Sequence, residues 1–268
     1  MRVSGHRNRG YLERSMCGRS SLHDAPRNVL ERFSLPPVLP GFVPHYNITP
    51  SQQQWTISRD EKGLPAARQM RWGLVPEWAV DESVGQRMIN ARAESLTRKP
   101  SYQLPFKNRR CLILADGYYE WKTEGKTRTP MYCRLSDGRA FAIAGLWDRW
   151  VRGGSILDTC VVITTTAGER SQPIHDRMPA LLVDDAATHW LNADATEREL
   201  LSLLRPYDAE DLEIYEVSRY VNTPANDSEE CIRRVEYAPG EEPVTRSVRE
   251  PKEATEDELG SPQWSLPF

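Results

Sequence analysis

The most distinctive chemistry in this chain belongs to a cysteine and to the methionine before it. Cys17 follows Met16 in the run SMCGR. If Met16 is the true initiator, the small residue behind it lets it be removed readily, and Cys17 becomes residue one. A terminal cysteine carries its amine and its thiol on adjacent carbons. The amine has a pKa of about 7.7–8.0, so roughly a tenth of it is neutral at pH 7, and it condenses with an aldehyde to an imine. The thiol then closes on the same carbon as a five-membered thiazolidine, with the effective-molarity advantage of a tethered nucleophile. An internal cysteine has an amide nitrogen and cannot do this.

Other segments could supply the rest of a site. In GYYEW (117–121) Glu120 lies among three aromatic rings, where lost solvation would raise its pKa and make it a proton donor near neutrality. A strand could equally alternate an exposed Glu with buried rings. In IHDRMP (174–179) His175 and Arg177 sit in a loop ended by Pro179, and a loop histidine is ordinarily solvated. The other histidines, His6, His23, His45 and His189, show no ligand spacing, and no metal site is expected. Residues 87–110 hold seven Lys or Arg and one Glu. Such a patch can neutralise a phosphate backbone or simply be a solvated face. Just upstream, RWGLVPEW (71–78) carries Trp72 and Trp78. Exposed aromatics beside a basic groove stack on unpaired bases, whereas tryptophan is ordinarily core.

Taken together, Cys17-Gly18-Arg19, Asn90-Ala91-Arg92-Ala93-Glu94, Gly117-Tyr118-Tyr119-Glu120-Trp121 and Ile174-His175-Asp176-Arg177-Met178-Pro179 resemble the SOS response-associated peptidase (SRAP) family, to which the abasic-site processing proteins belong. The resemblance implies covalent capture of abasic sites in single-stranded DNA, including single-strand/double-strand junctions, through a thiazolidine on the terminal cysteine. It implies a compact α+β domain with a β-rich, mostly antiparallel core and a positively charged DNA groove, needing no cofactor. By motif, Cys17 is the nucleophile, and Asn90 holds the amine or the sugar. Glu120 is general acid and base, and His175 assists proton transfer and positions the opened sugar. Arg92 and Arg177 match phosphate-contacting positions, and Arg19 is a further candidate. Trp72, Gly73 and Pro76 shape the groove, with the Trp72 ring and the basic run as DNA contacts. Trp78 is assigned to the core.

The departure is at the front, where fifteen residues precede Met16. Either translation starts at Met16, or a leader is removed, with self-cleavage by Cys17 on the preceding carbonyl as one route. The first is expected. Two readings from other classes stay open: a cysteine hydrolase acting through Cys17 and His175, and a noncovalent single-strand-binding module.

The elements that must position these residues read as a mixture of strands and helices without a repeat. Residues 54–58, 109–116, 140–147, 159–166 and 179–183 have the β-branched and aromatic content of strands. Asp24 is expected to cap a helix running to Phe33, and Thr196 with Glu199 forms a capping-box pattern. Few helices separate the strands, which argues against a parallel doubly wound sheet and for an α+β fold. One domain is expected over 16–238, preceded by an extension (1–15) and followed by an acidic tail (239–268) too poor in aliphatics to fold. Composition agrees: 39% hydrophobic and 27% charged residues over 268 positions are those of a soluble chain. Five scattered cysteines without a C-x-x-C suit reduced thiols. The first fifteen residues hold four Arg and no apolar run, which excludes a secretory signal. A cytoplasmic monomer, nucleoid-associated when on DNA, is expected, with no membrane partner.

Overall fold

The computed structural model describes residues 17–237; the extension expected at 1–15 and the tail at 239–268 lie outside them. In chain order the strands are β1 (Arg19–Leu22), β2 (His45–Ile48), β3 (Gln53–Arg59), β4 (Pro65–Trp72), β5 (Asn90–Arg92), β6 (Arg110–Ala115), β7 (Gly117–Glu124), β8 (Thr127–Leu135), β9 (Phe141–Arg152), β10 (Ser155–Thr166), β11 (Arg177–Pro179), β12 (Leu181–Leu182) and β13 (Leu212–Glu216). The helices are α1 (Arg27–Arg32), α2 (Pro100–Asn108), α3 (Asp185–Leu191) and α4 (Glu197–Leu203). No helix among the described residues is long and apolar enough to cross a membrane.

The strands form two sheets around one main core. The smaller has the order β13-β8-β7-β1-β2, and the larger runs β11-β10-β4-β3-β6-β9-β12 with β5 paired to β10. All pairings are antiparallel except those of β10 with β4 and with β5, so the fold is the mostly antiparallel, sheet-rich α+β class. β6 shows why the core lies where it does. Its run RCLILA is buried at every position, as a strand covered on both faces requires. The chain passes from β6 through Asp116 into β7, and so from the large sheet into the small one. β9 and β10 make a long hairpin whose turn is Gly153-Gly154, at φ 56° and 82°, the left-handed conformation such a turn demands.

Four of the five expected strands each correspond to one observed strand, with 109–116 running one residue past β6 at both ends and 140–147 starting one residue before β9. The fifth, 179–183, is divided, with β11 ending at Pro179 and β12 covering Leu181–Leu182. The capping box at Thr196 and Glu199 is present. Asp24 is not the cap of α1. The N-cap is Pro26, without a side-chain bond, and the backbone N–H groups of His23 and Asp24 instead donate to the buried Asp116 carboxylate at 2.5 and 3.0 Å.

Candidate active site

β1 pairs antiparallel with β7, placing Arg19 opposite Tyr119. The chain just before β1 therefore runs alongside Glu120. On β7, Tyr118 and Glu120 face one side and Tyr119 and Trp121 the other. Both sides are covered, so Glu120 is 5% exposed and Cys17 3% exposed. The exposed-Glu alternative does not apply.

Cys17 and Glu120 meet at one atom. The Cys17 backbone N–H donates to Glu120 Oε1 at 2.8 Å, and the thiol Sγ donates to the same oxygen at 2.6 Å. Cys17 takes φ 45°, a left-handed conformation uncommon for a side-chain-bearing residue, and here both its nitrogen and its sulfur face the carboxylate. Burial pushes the Glu120 carboxyl up to about 7, against the lowering effect of the two Cys17 hydrogen bonds. Burial, and then the neighbouring Glu120 charge, push the Cys17 thiol well above its ordinary value. This thiol rests protonated and needs a base to leave its proton on.

A second constellation is built around β10. β5 pairs with β10 on one side, Asn90 opposite Val162 and Arg92 opposite Thr164, and β11 pairs with the same strand, Arg177 opposite Thr166. Residues far apart in sequence thereby meet. Arg177 donates to both oxygens of Glu94 at 2.7 and 3.1 Å and to the Thr164 carbonyl at 2.6 Å. The Arg177 backbone N–H donates to His175 Nδ1 at 3.0 Å, and Asp176 Oδ1 lies 2.9 Å from that same nitrogen. The two constellations share a field: Arg177 acts on the Cys17 thiol, and Asp176 acts on Glu120. Asn90 is half-buried on β5, with its carbonyl 3.4 Å from the Tyr102 hydroxyl.

Several expected DNA contacts are placed otherwise. Arg19 donates to Asn47 Oδ1 at 2.9 Å and to the carbonyls of Val221 and Asn222, which makes it a staple for the turn at Arg219–Asn222. Arg177 is 8% exposed, so its guanidinium supports the site from within and presents no open fork to phosphate. Trp72 is 1% exposed with its indole N–H on the Ile89 carbonyl at 2.8 Å, which rules out base stacking by this ring. Trp78, assigned to the core, is 63% exposed. Gly73 and Pro76 are buried, and Gly73 at φ 125° lies so close to Gly85 that an added Cβ would meet its carbonyl oxygen at 2.6 Å. All three are therefore buried positions. Of the basic run, Arg87, Arg92, Arg98, Lys99 and Lys107 are exposed. Arg110 is buried and bonded to four backbone carbonyls, and Arg109 pairs with Asp148 and Glu77.

Sequence reasoning missed Glu94 and Asp176. Glu94 carried a signal, as the one acid among seven cations; a lone carboxylate in such a run marks an internal pair. Among the described residues no three His, Cys, Asp or Glu side chains gather as a metal site would need.

Comparison with known proteins identifies the family. The SOS response associated peptidase (SRAP) profile matches residues 16–224. The abasic site processing protein YoqW of Bacillus subtilis (strain 168) is 45% identical over 222 residues, covering 81% of this chain and 99% of that protein. The abasic site processing protein HMCES of Gallus gallus is 35% identical over 207 residues, covering 67% of this chain and 61% of that protein. A crystal structure of a protein from Bacteroides thetaiotaomicron matches with TM-score 0.73 at 26% identity, over 82% of this chain and 100% of that one. With its four motifs assembled on this fold, the chain belongs to the SOS response associated peptidase family.

Proposed function

We propose that this protein processes abasic sites in DNA by capturing the opened sugar on Cys17 as a thiazolidine, within single-stranded DNA and at single-strand/double-strand junctions. The carrying observation is that the nitrogen and the sulfur of Cys17 both donate to one oxygen of Glu120. A single carboxylate thereby serves both nucleophiles of a 1,2-aminothiol. The relatives named for abasic site processing and a profile match that begins at residue 16 support the same reading, with Cys17 as residue one.

The geometry supports the following steps. His175 gives a proton to the sugar ring oxygen as the C1′–O4′ bond breaks, while the 1′-hydroxyl proton passes to Glu120 and an aldehyde is left. The Cys17 amine adds to C1′ and one N–H proton passes to the resulting alkoxide, giving a carbinolamine; its hydroxyl then takes the Glu120 proton and leaves as water, which forms the iminium. The thiol then gives its proton to Glu120, sulfur bonds to C1′, and the C=N electron pair returns to nitrogen. The net change is loss of one water. Because burial holds the thiol protonated, the amine adds first. Five exposed cations (Arg87, Arg92, Arg98, Lys99, Lys107) supply phosphate contacts, and the exposed Trp78 supplies a stacking face. Asn90 holds the amine or sugar.

The hydrolase reading needs a thiolate paired with imidazole. The Cys17 thiol instead bonds to Glu120, and His175 Nδ1 faces Arg177 and Asp176. The deciding experiment mixes protein beginning at Cys17 with a single-stranded oligonucleotide bearing one abasic site. Expected is a denaturation-resistant adduct one water lighter than the sum of its parts, absent when the amine is acetylated. An adduct that survives acetylation would overturn the reading.

A further inference from the structure

His175 Nδ1 has two partners of opposite demand. The Arg177 backbone N–H at 3.0 Å requires a lone pair on that nitrogen, whereas the Asp176 carboxylate oxygen at 2.9 Å requires a proton there. One nitrogen cannot meet both at once: the Arg177 N–H makes the hydrogen bond, Asp176 stands at ion-pair distance from the same nitrogen, and the ring has two alternative partners. With Arg177 N–H as partner, Nδ1 is bare and Nε2 carries the hydrogen. With Asp176 as partner, Nδ1 carries the hydrogen, and Nε2 is free either to hold a second proton or to take one.

Only the second state can do acid–base work. A neutral ring with its hydrogen on Nε2 can donate a hydrogen bond but cannot give that proton away, since an imidazolate would result. We propose that Asp176 is a positioning residue that draws a hydrogen onto His175 Nδ1 and so converts Nε2 from a fixed hydrogen-bond donor into a proton-transferring group. Resting on the abasic-site reading, this inference deepens it by assigning the proton given to the sugar ring oxygen. That proton leaves Nε2 of the doubly protonated ring, the Nδ1 hydrogen stays on Asp176, and the N–H electron pair remains on Nε2.

The placement of Asp176 supports this role over a structural one. Its side chain is 82% exposed, so nothing in the core depends on it. A bare carboxylate beside a DNA-binding site repels phosphate, which sets a cost in affinity against its gain in chemistry. Its charge reaches Glu120 of β7, whose carboxyl Asp176 raises and Arg128 of β8 lowers; Glu120 in turn holds Cys17, and Arg177, next in sequence, is paired with Glu94. Arg177 and Glu94 compensate each other, and Asp176 is a carboxylate in direct contact with the imidazole.

The test compares wild type with Asp176→Ala and Asp176→Asn. Ring-nitrogen NMR on the full chain, with His175 assigned through His175→Gln, reads the tautomer directly. In wild type the Nδ1 and Nε2 shifts are expected to show both tautomers of the neutral ring. In Asp176→Ala they should collapse to hydrogen on Nε2 alone. With the Cys17 amine free, Asp176→Ala should capture abasic single-stranded DNA about a hundredfold more slowly, the low end of what a positioned acid–base group supplies. Asp176→Asn, which keeps the Oδ1 acceptor, should recover part of that rate. Both variants should bind intact single strands at least as tightly as wild type. Unchanged ring-nitrogen shifts, or an unchanged capture rate, in Asp176→Ala would overturn the proposal. If wild type itself captures no abasic DNA, the functional reading fails, and the NMR comparison still decides the Asp176 assignment.

Discussion

At the scale of single residues, the pair Cys17 and Glu120 makes opposite demands on stability and on chemistry. Burial is the first cause of the raised Glu120 carboxyl, at about 7, against an ordinary 4.5. The folded state therefore keeps a proton that the unfolded chain releases. The sign follows from linkage: stability from this group is fully present below about 4.5 and is lost as pH rises through about 7. Glu120→Gln cannot ionise, so with the peptide nitrogen at Cys17 intact it should be more stable than wild type at pH 8 and not at pH 4. The upper bound is about 3 kcal/mol, at 1.36 kcal/mol per pKa unit. Urea unfolding at the two pH values checks it, and a pH-independent difference would contradict the buried-acid assignment. The same variant should lose most thiazolidine formation, because Oε1 no longer takes a proton from nitrogen or sulfur. Cys17→Ser should keep imine formation, trappable by borohydride, and lose the stable adduct, which separates the amine step from the thiol step.

At the scale of elements, the site depends on where strands end and on how closely backbones approach. Gly73 is the sharpest case. Its φ of 125° and the 2.6 Å from a built Cβ to the Gly85 oxygen leave a side chain both strained and blocked, so Gly73→Ala should cost about 2–4 kcal/mol. A lowered urea midpoint with unchanged m-value measures that loss. The strands β6, β9 and β10 were legible from their long runs of β-branched or apolar residues, and β3 from its centre, Trp55, Thr56 and Ile57. β4 was not, since PAARQMRW opens on a proline, interrupts its apolar residues with Arg68, Gln69 and Arg71, and is partly exposed over most of its length. β8 was hidden by Pro130, which argues against a strand. It is tolerated because it sits just past the β13 ladder, which pairs with Met131–Leu135, and its carbonyl still accepts from the Val217 N–H at 3.0 Å. The motif residues were legible as chemistry but not as placement. Arg177 meets Glu94 only because β5 and β11 flank β10, a relation no local spacing reveals. The exchange between Trp72 and Trp78 has the same origin. One indole finds the Ile89 carbonyl inside and the other lies on a loop facing out, and the intervening Gly and Pro do not say which.

At the scale of the whole molecule, charge and covalent capture are separable, and the residues before Cys17 separate them. Residues 1–15 hold four Arg and one Glu, a net of +3, in a chain of net -3. Attached, they add cations that DNA phosphate attracts, and they also turn the Cys17 amine into an amide. Noncovalent affinity and capture should therefore move in opposite directions. The full chain should bind intact single strands more tightly at low salt than the chain beginning at Cys17. Its plot of log affinity against log salt should be steeper by up to about 2, at roughly 0.7 per phosphate neutralised on a single strand. It should nevertheless form no thiazolidine with an abasic strand. Trimming also places an ammonium where the amide stood, 2.8 Å from Glu120 Oε1. An adjacent positive charge lowers a carboxyl's pKa, so trimming should favour the ionised Glu120 that takes the 1′-hydroxyl proton in the proposed ring opening. Affinity titrations over a salt series, paired with denaturing gels of the same samples, test both halves at once. Equal capture by the two forms would remove the amine from the mechanism, and equal salt slopes would remove the leader from the DNA interface.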